Sequence, residues 1–209
     1  MRFFLDIGTH YGEGLSEFAH KLGLQSGWSV LCFEPNPLTK TDLGVKEVTK
    51  DWTSPVSLYR MAVWNETGKV NFLCSKRDPG ELEDYYTSRW STSYNDPLTR
   101  DNGLMDGVSS HIDGVRQNTW GGDTIEIDAI SGNDILKMLN LKDSDEVYIK
   151  IDAEGAEKEI VESFLNSELV NFIKELYCEV HEGISTSNVS TSVINSLCEN
   201  KNVRFYSWY

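Results

Sequence analysis

The 209 residues suffice for one domain with a substantial core, and apolar and aromatic fractions of 39% and 11% suit a globular protein rather than a disordered one. A formal charge of −14, with no lysine- or arginine-rich tract against it, argues against nonspecific binding to nucleic acid or an anionic membrane surface. No apolar run reaches bilayer length, Asp6 interrupts the first one, and Cys32, Cys74, Cys178 and Cys198 form no Cys-x-x-Cys pair, so the expectation is a reducing, cytoplasmic compartment without membrane insertion or a zinc site.

Phe3 to Ile7 is apolar without alternation, as expected of a strand buried on both faces. Gly8, Gly12 and Gly14 break it, and Leu15, Phe18, Ala19 and Leu22 then recur at helical spacing. Strand, glycine turn and helix together bring bare backbone N–H groups to a ligand. The pattern Asp6-x-Gly8-x-x-x-Gly12 is not a dinucleotide fingerprint, because His10 stands where the second glycine should be and would crowd a pyrophosphate. An acidic residue ahead of the first glycine suits a cationic ligand such as the sulfonium and ammonium of S-adenosylmethionine. The plainer alternative is a turn whose glycines serve packing only.

Ser29 to Glu34 reads as a second buried strand, ended by Pro35, and Glu34 is placed to accept hydrogen bonds from both ribose hydroxyls of a nucleoside. Leu38 to Lys50 reads as an outer helix. Val56 to Val63 is a third strand whose small Ala62 would let an adenine ring lie flat. Asn65 to Gly68 is a turn and Lys69 to Cys74 alternates, which predicts a hairpin. Residues 77–122 show no sustained period and are rich in Asp, Ser, Gly, Asn and Tyr with Trp90 and Trp120. They read either as a lid that stacks and hydrogen-bonds a sugar or as a surface loop.

Asp123 to Ile130 alternates as a strand, and Ser131 with Asp134 predicts the cap of a helix carrying Ile135, Leu136 and Leu139. Glu146 to Asp152 is the fourth core strand, followed by Ala153-Glu154-Gly155-Ala156-Glu157 and a helix carrying Ile160, Val161, Phe164 and Leu165. Phe172 to Val180 is a fifth strand ending at Glu179 and His181. A helix through Val189, Val193, Ile194 and Leu197 and a closing strand over 203–209 complete the chain. Alternating strands and helices predict a mostly parallel sheet covered on both faces, with ligands at the carboxyl ends of its strands.

The segments Phe4-Leu5-Asp6-Ile7-Gly8, Phe33-Glu34-Pro35-Asn36, Ala62-Val63, Lys150-Ile151-Asp152-Ala153-Glu154-Gly155-Ala156-Glu157 and Glu179-Val180-His181, in this order, resemble the FkbM-type methyltransferases, and the segment at 150–157 is the most specific. The resemblance implies an α/β class I methyltransferase fold. That fold is a Rossmann-like three-layer sandwich with a mostly parallel seven-stranded sheet, one strand of it antiparallel near the C-terminus. The expected organisation is a single domain over 1–209 with an insertion at about 77–122. Implied too is S-adenosylmethionine-dependent O-methylation, with Asp6, Gly8, Thr9, His10 and Gly12 at the methionine end, Glu34 at the ribose, Asn36, Ala62 and Val63 at the adenine side, and Pro35 among the cofactor contacts. Asp152 would lie between cofactor and acceptor. Asp152 and His181 are the candidate bases, and Trp90, Ser91, Ser93, Glu154 and His181 the candidate acceptor contacts.

Glu154 and Glu157 are read as favouring a helix N-terminus through its dipole, so no metal site is assigned and a divalent metal is not the favoured cofactor. The expected acceptor is a sugar or glycan hydroxyl, a deoxyhexose among the candidates. The first strand starts unusually close to Met1 for this family, leaving open a minimal version or a module of a larger glycan-building protein. The alternative function is a non-catalytic module that binds a glycan or partner. A nicotinamide oxidoreductase is opposed by His10.

Overall fold

The computed structural model describes residues 1–37, 39–75, 111–112, 122–182 and 189–208. The first strand, β1 (Arg2–Ile7), lies in the middle of a six-stranded sheet of order β10-β9-β8-β1-β2-β3, the others being β2 (Trp28–Phe33), β3 (Val56–Tyr59), β8 (Glu146–Ile151), β9 (Ile173–Cys178) and β10 (Arg204–Ser207). Every pairing in it is parallel. The strands alternate their burial partners, as a two-residue period requires. Phe3, Leu5 and Ile7 of β1 and Leu31 and Phe33 of β2 belong to one apolar cluster. Phe4 of β1, with Trp28, Val30 and Cys32 of β2, belongs to another. Both faces are therefore apolar, which explains strands without polar alternation.

Helices α1 (Glu13–Leu22) and α2 (Thr41–Val48) cover the second face through Leu15, Phe18, Ala19 and Val45. Helices α3 (Gly132–Met138), α4 (Glu157–Leu165) and α5 (Thr191–Glu199) cover the first through Ile135, Leu136, Ile160, Val161, Phe164 and Ile194. The layering is α/β and Rossmann-like. A second sheet of order β4-β7-β5-β6, made by β4 (Ala62–Trp64), β5 (Gly68–Ser75), β6 (His111–Ile112) and β7 (Gly122–Ser131), adds Ala62, Val63, Phe72 and Ala129 to the same cluster.

Three details differ from the sequence reading. Among the described residues the main sheet has six strands rather than seven, and the C-terminal strand β10 is parallel to β9. The connection agrees with this: α5 lies between β9 and β10 in the chain, and a parallel neighbour requires such a crossover, whereas an antiparallel one can follow a short hairpin. The run 56–63 is two strands, because β3 stays in the main sheet while β4 joins the second. The hairpin expected around Asn65–Gly68 is replaced by a three-strand arrangement: β7 lies between β4 and β5, so that Ala62 and Gly68 both align with Ala129. Most of the insertion expected at about 77–122 lies outside the described residues.

Candidate functional site

Three parallel strands end side by side, and backbone bonds tie their ends together. Asp152 N, just after β8, donates to Ile7 O at 3.0 Å, while Gly8 N and Thr9 N both donate to Phe33 O at 3.0 and 3.1 Å. Gly8 has φ +73°, and a Cβ there would lie 1.8 Å from the Asp152 carbonyl oxygen, so only glycine lets β1 and β8 meet this closely. The turn continues through His10 (φ 51°) and Gly12 (φ 91°) into α1. It is backed by α2, whose Gly44 would clash with Tyr11 O at 1.9 Å if it carried a Cβ.

Glu34 closes this turn from the end of β2. Its Oε2 accepts from His10 N and its Oε1 from Asn36 N, both at 2.8 Å. Burial raises its pKa, against His10, these N–H donors and Arg60. Each carboxylate oxygen keeps lone-pair capacity for a further donor. Pro35 and Asn36 are half-buried beside it, whereas Ala62 and Val63 are buried where the chain passes from the main sheet to the second. The His10 ring stands 3.5 Å from Glu13 Oε1. Burial opposes a charge on that ring, but Glu13 and Glu34 outweigh it and raise its pKa.

Asp6 and Thr9 do not reach the rim. The Asp6 side chain is 0% exposed and lies 3.2 Å from Lys150 Nζ, its register partner on β8. Thr9 is 1% exposed and donates from Oγ1 to Asp6 O at 2.9 Å. The Asp6 carboxylate, expected at the methionine end, thus lies buried beside the Lys150 ammonium and beneath the turn. Lys150 itself donates to Gly8 O at 2.8 Å and lies 3.8 Å from Asp152 Oδ2. Burial acts against its charge, yet Asp6 and Asp152 overcome this and raise its pKa, so the pair holds the underside of the turn.

The ends of β8 and β9 bring a second group together. His181 Nδ1 lies 2.8 Å from Glu157 Oε1, while Nε2 lies 3.6 Å from Glu154 Oε2 and 3.9 Å from Glu179 Oε1. Burial lowers the His181 pKa, but the Glu157 hydrogen bond and the charges of Glu154, Glu157 and Asp152 push it up to about 9. These acidic neighbours favour the protonated ring in the ligand-free site. Burial and the charge of Asp152 push Glu179 up to about 7.

Glu157, read from sequence as a helix-dipole residue, is indeed the first residue of α4, but it is 0% exposed and accepts from Gly155 N at 2.8 Å as well as meeting His181. Lys150 and Glu157 are the residues that sequence reasoning left without a site role. Their signals were a lysine amid apolar strand residues and an acid three residues after Glu154. Trp90, Ser91 and Ser93 lie outside the described residues.

The Gly8 cradle, the Glu34 carboxylate with spare acceptor capacity, and acidic groups at the rim fit a cationic nucleoside ligand. No helix among the described residues is long and apolar enough to cross a membrane. The four cysteines are free and buried. The family model for the methyltransferase FkbM domain matches residues 6–204. No curated protein and no solved structure matches the chain.

Proposed function

The chain belongs to the FkbM methyltransferase family, and on that premise we propose that it transfers methyl from S-adenosylmethionine to a hydroxyl of a sugar or glycan. The observation that carries the reading is the junction of β1, β2 and β8, where the Gly8 turn, Glu34 and Asp152 share one strand-end rim. Bound there, the cofactor supplies a methyl on a cationic sulfur. Glu34 accepts the ribose hydroxyls, and the Gly8 turn admits the ligand because it has no Cβ. Asn36 and the Ala62–Val63 segment stand on the adenine side.

Asp152 orients the acceptor hydroxyl and draws on its proton: its backbone carbonyl packs against Gly8 at the strand-end rim and its carboxylate is partly exposed there, whereas the acidic neighbours of His181 favour the charged imidazolium. Orientation of the two reactants contributes as much as about 7–11 kcal/mol, whereas a base contributes roughly 10²–10⁴-fold. The pocket therefore matters more than the base. The sugar preference rests on the composition of 77–122, where Trp90, Ser91 and Ser93 supply a stacking ring and hydroxyls. Incubation of the chain with cofactor and a panel of defined saccharides, read by mass spectrometry, should show one added methyl on at least one member. Cofactor binding without transfer to any member would contradict the reading.

A further inference from the structure

We infer that Asp152, Glu154 and His181 form a binding site for a divalent first-row transition cation, with Glu157 holding the imidazole from behind. Each of the three offers one ligand atom, and these atoms all lie within 4.8 Å of one another. Their side chains are 28%, 30% and 16% exposed, which leaves them open to an ion from solvent yet fixed at the ends of adjacent strands. Donors about 2.0–2.2 Å from a common cation in a tetrahedral site sit roughly 3.3–3.6 Å apart, so closure draws the three atoms together by at most about 1.5 Å, within reach of rotation of the partly exposed carboxylates.

Gathered carboxylates alone would not identify a ligand. The independent observation is Glu157, which is wholly buried, has Oε1 at 2.8 Å from His181 Nδ1, and has an Oε2 without a hydrogen-bond partner among the described residues. A metal-ligating histidine characteristically gives its other ring N–H to such a carboxylate, which fixes the tautomer and aims the remaining nitrogen at the ion. The remaining nitrogen here is Nε2. It faces Glu154 at 3.6 Å and Glu179 at 3.9 Å, near enough for attraction and too far for hydrogen bonds. A ring anchored on the core side, with its outer nitrogen spaced from carboxylates, is the geometry an ion would complete. The mixed nitrogen and oxygen donors select the metal class: imidazole suits Fe²⁺ or Zn²⁺ and the two carboxylates also admit Mn²⁺, whereas Mg²⁺ and Ca²⁺ take oxygen ligands.

The test uses the full chain stripped with EDTA and titrated with Mn²⁺ or Zn²⁺ alone, followed by calorimetry and, for Mn²⁺, by electron paramagnetic resonance. One saturable site per chain is expected, not displaced by equimolar Mg²⁺. His181→Gln and Glu154→Gln should each abolish or severely weaken it, and Glu157→Gln should weaken it by roughly 10–100-fold. Asp128→Asn, on the exposed face of β7, should leave it unchanged and so control for diffuse attraction to an acidic protein. The Glu154 variant, at a partly exposed loop position, keeps the test decisive should a His181 variant misfold. Absence of saturable binding, or equal binding by the Glu154 and Asp128 variants, would overturn the assignment. Binding is read without cofactor or acceptor, so its failure leaves the methyltransferase reading standing.

Discussion

Lys150 is the residue on which the turn rests. It pairs in register with Asp6, both side chains are closed off from solvent, and its ammonium holds Gly8 O. Breaking a buried ion pair by removing one partner strands the other charge, at a cost of about 3–5 kcal/mol. Lys150→Met should therefore lower unfolding stability in urea by about that amount, and adding Asp6→Asn should restore part of it. A near-neutral single variant, or strictly additive losses, would mean that the two groups are not coupled. The sequence made Asp6 legible as an acid at a strand end, but not its direction. That depends on the β1–β8 register, which joins residues separated by most of the chain. Glu157 was hidden likewise, since an acid at a helix start looks solvated until His181 arrives from β9.

Elements position the site with different consequences for binding and stability. Helix α2 approaches the turn only because Gly44 presents no side chain to Tyr11 O. Gly44→Ala should push α2 back, loosen the Gly8–Gly12 turn, and weaken cofactor binding by several-fold along with a fall in Tm. By contrast, Ser131 caps α3 by accepting from Asp134 N at 3.1 Å, away from the rim. Ser131→Ala should cost about 1 kcal/mol of stability and leave cofactor affinity unchanged. Calorimetry and urea unfolding of both variants check this split; weakened binding in the Ser131 variant alone would reverse it. The periodic elements, and this cap, were readable locally. The departure of β4 to the second sheet and the insertion of β7 between β4 and β5 were not, because strand pairing across long loops leaves no local mark.

At the scale of the molecule, a sheet apolar on both faces leaves polar chemistry to its carboxyl ends, where ligands bind in such folds. There the chain concentrates Glu34, Asp152, Glu154, Glu179 and His181 around a turn too tight for any residue but glycine at position 8. The acidic overall balance agrees with a cationic small ligand better than with an anionic polymer. Glu34 is the decisive residue for the proposed cofactor site, since it closes the turn through His10 N and Asn36 N. The most direct measurement is calorimetric titration of S-adenosylhomocysteine into the chain and into Glu34→Ala, with folding of both verified by circular dichroism. Saturable binding by the native sequence, lost or weakened at least about tenfold, equivalent to about 1.4 kcal/mol, in the variant is the predicted result. Equal binding by the two proteins, or no binding by either, would contradict the account.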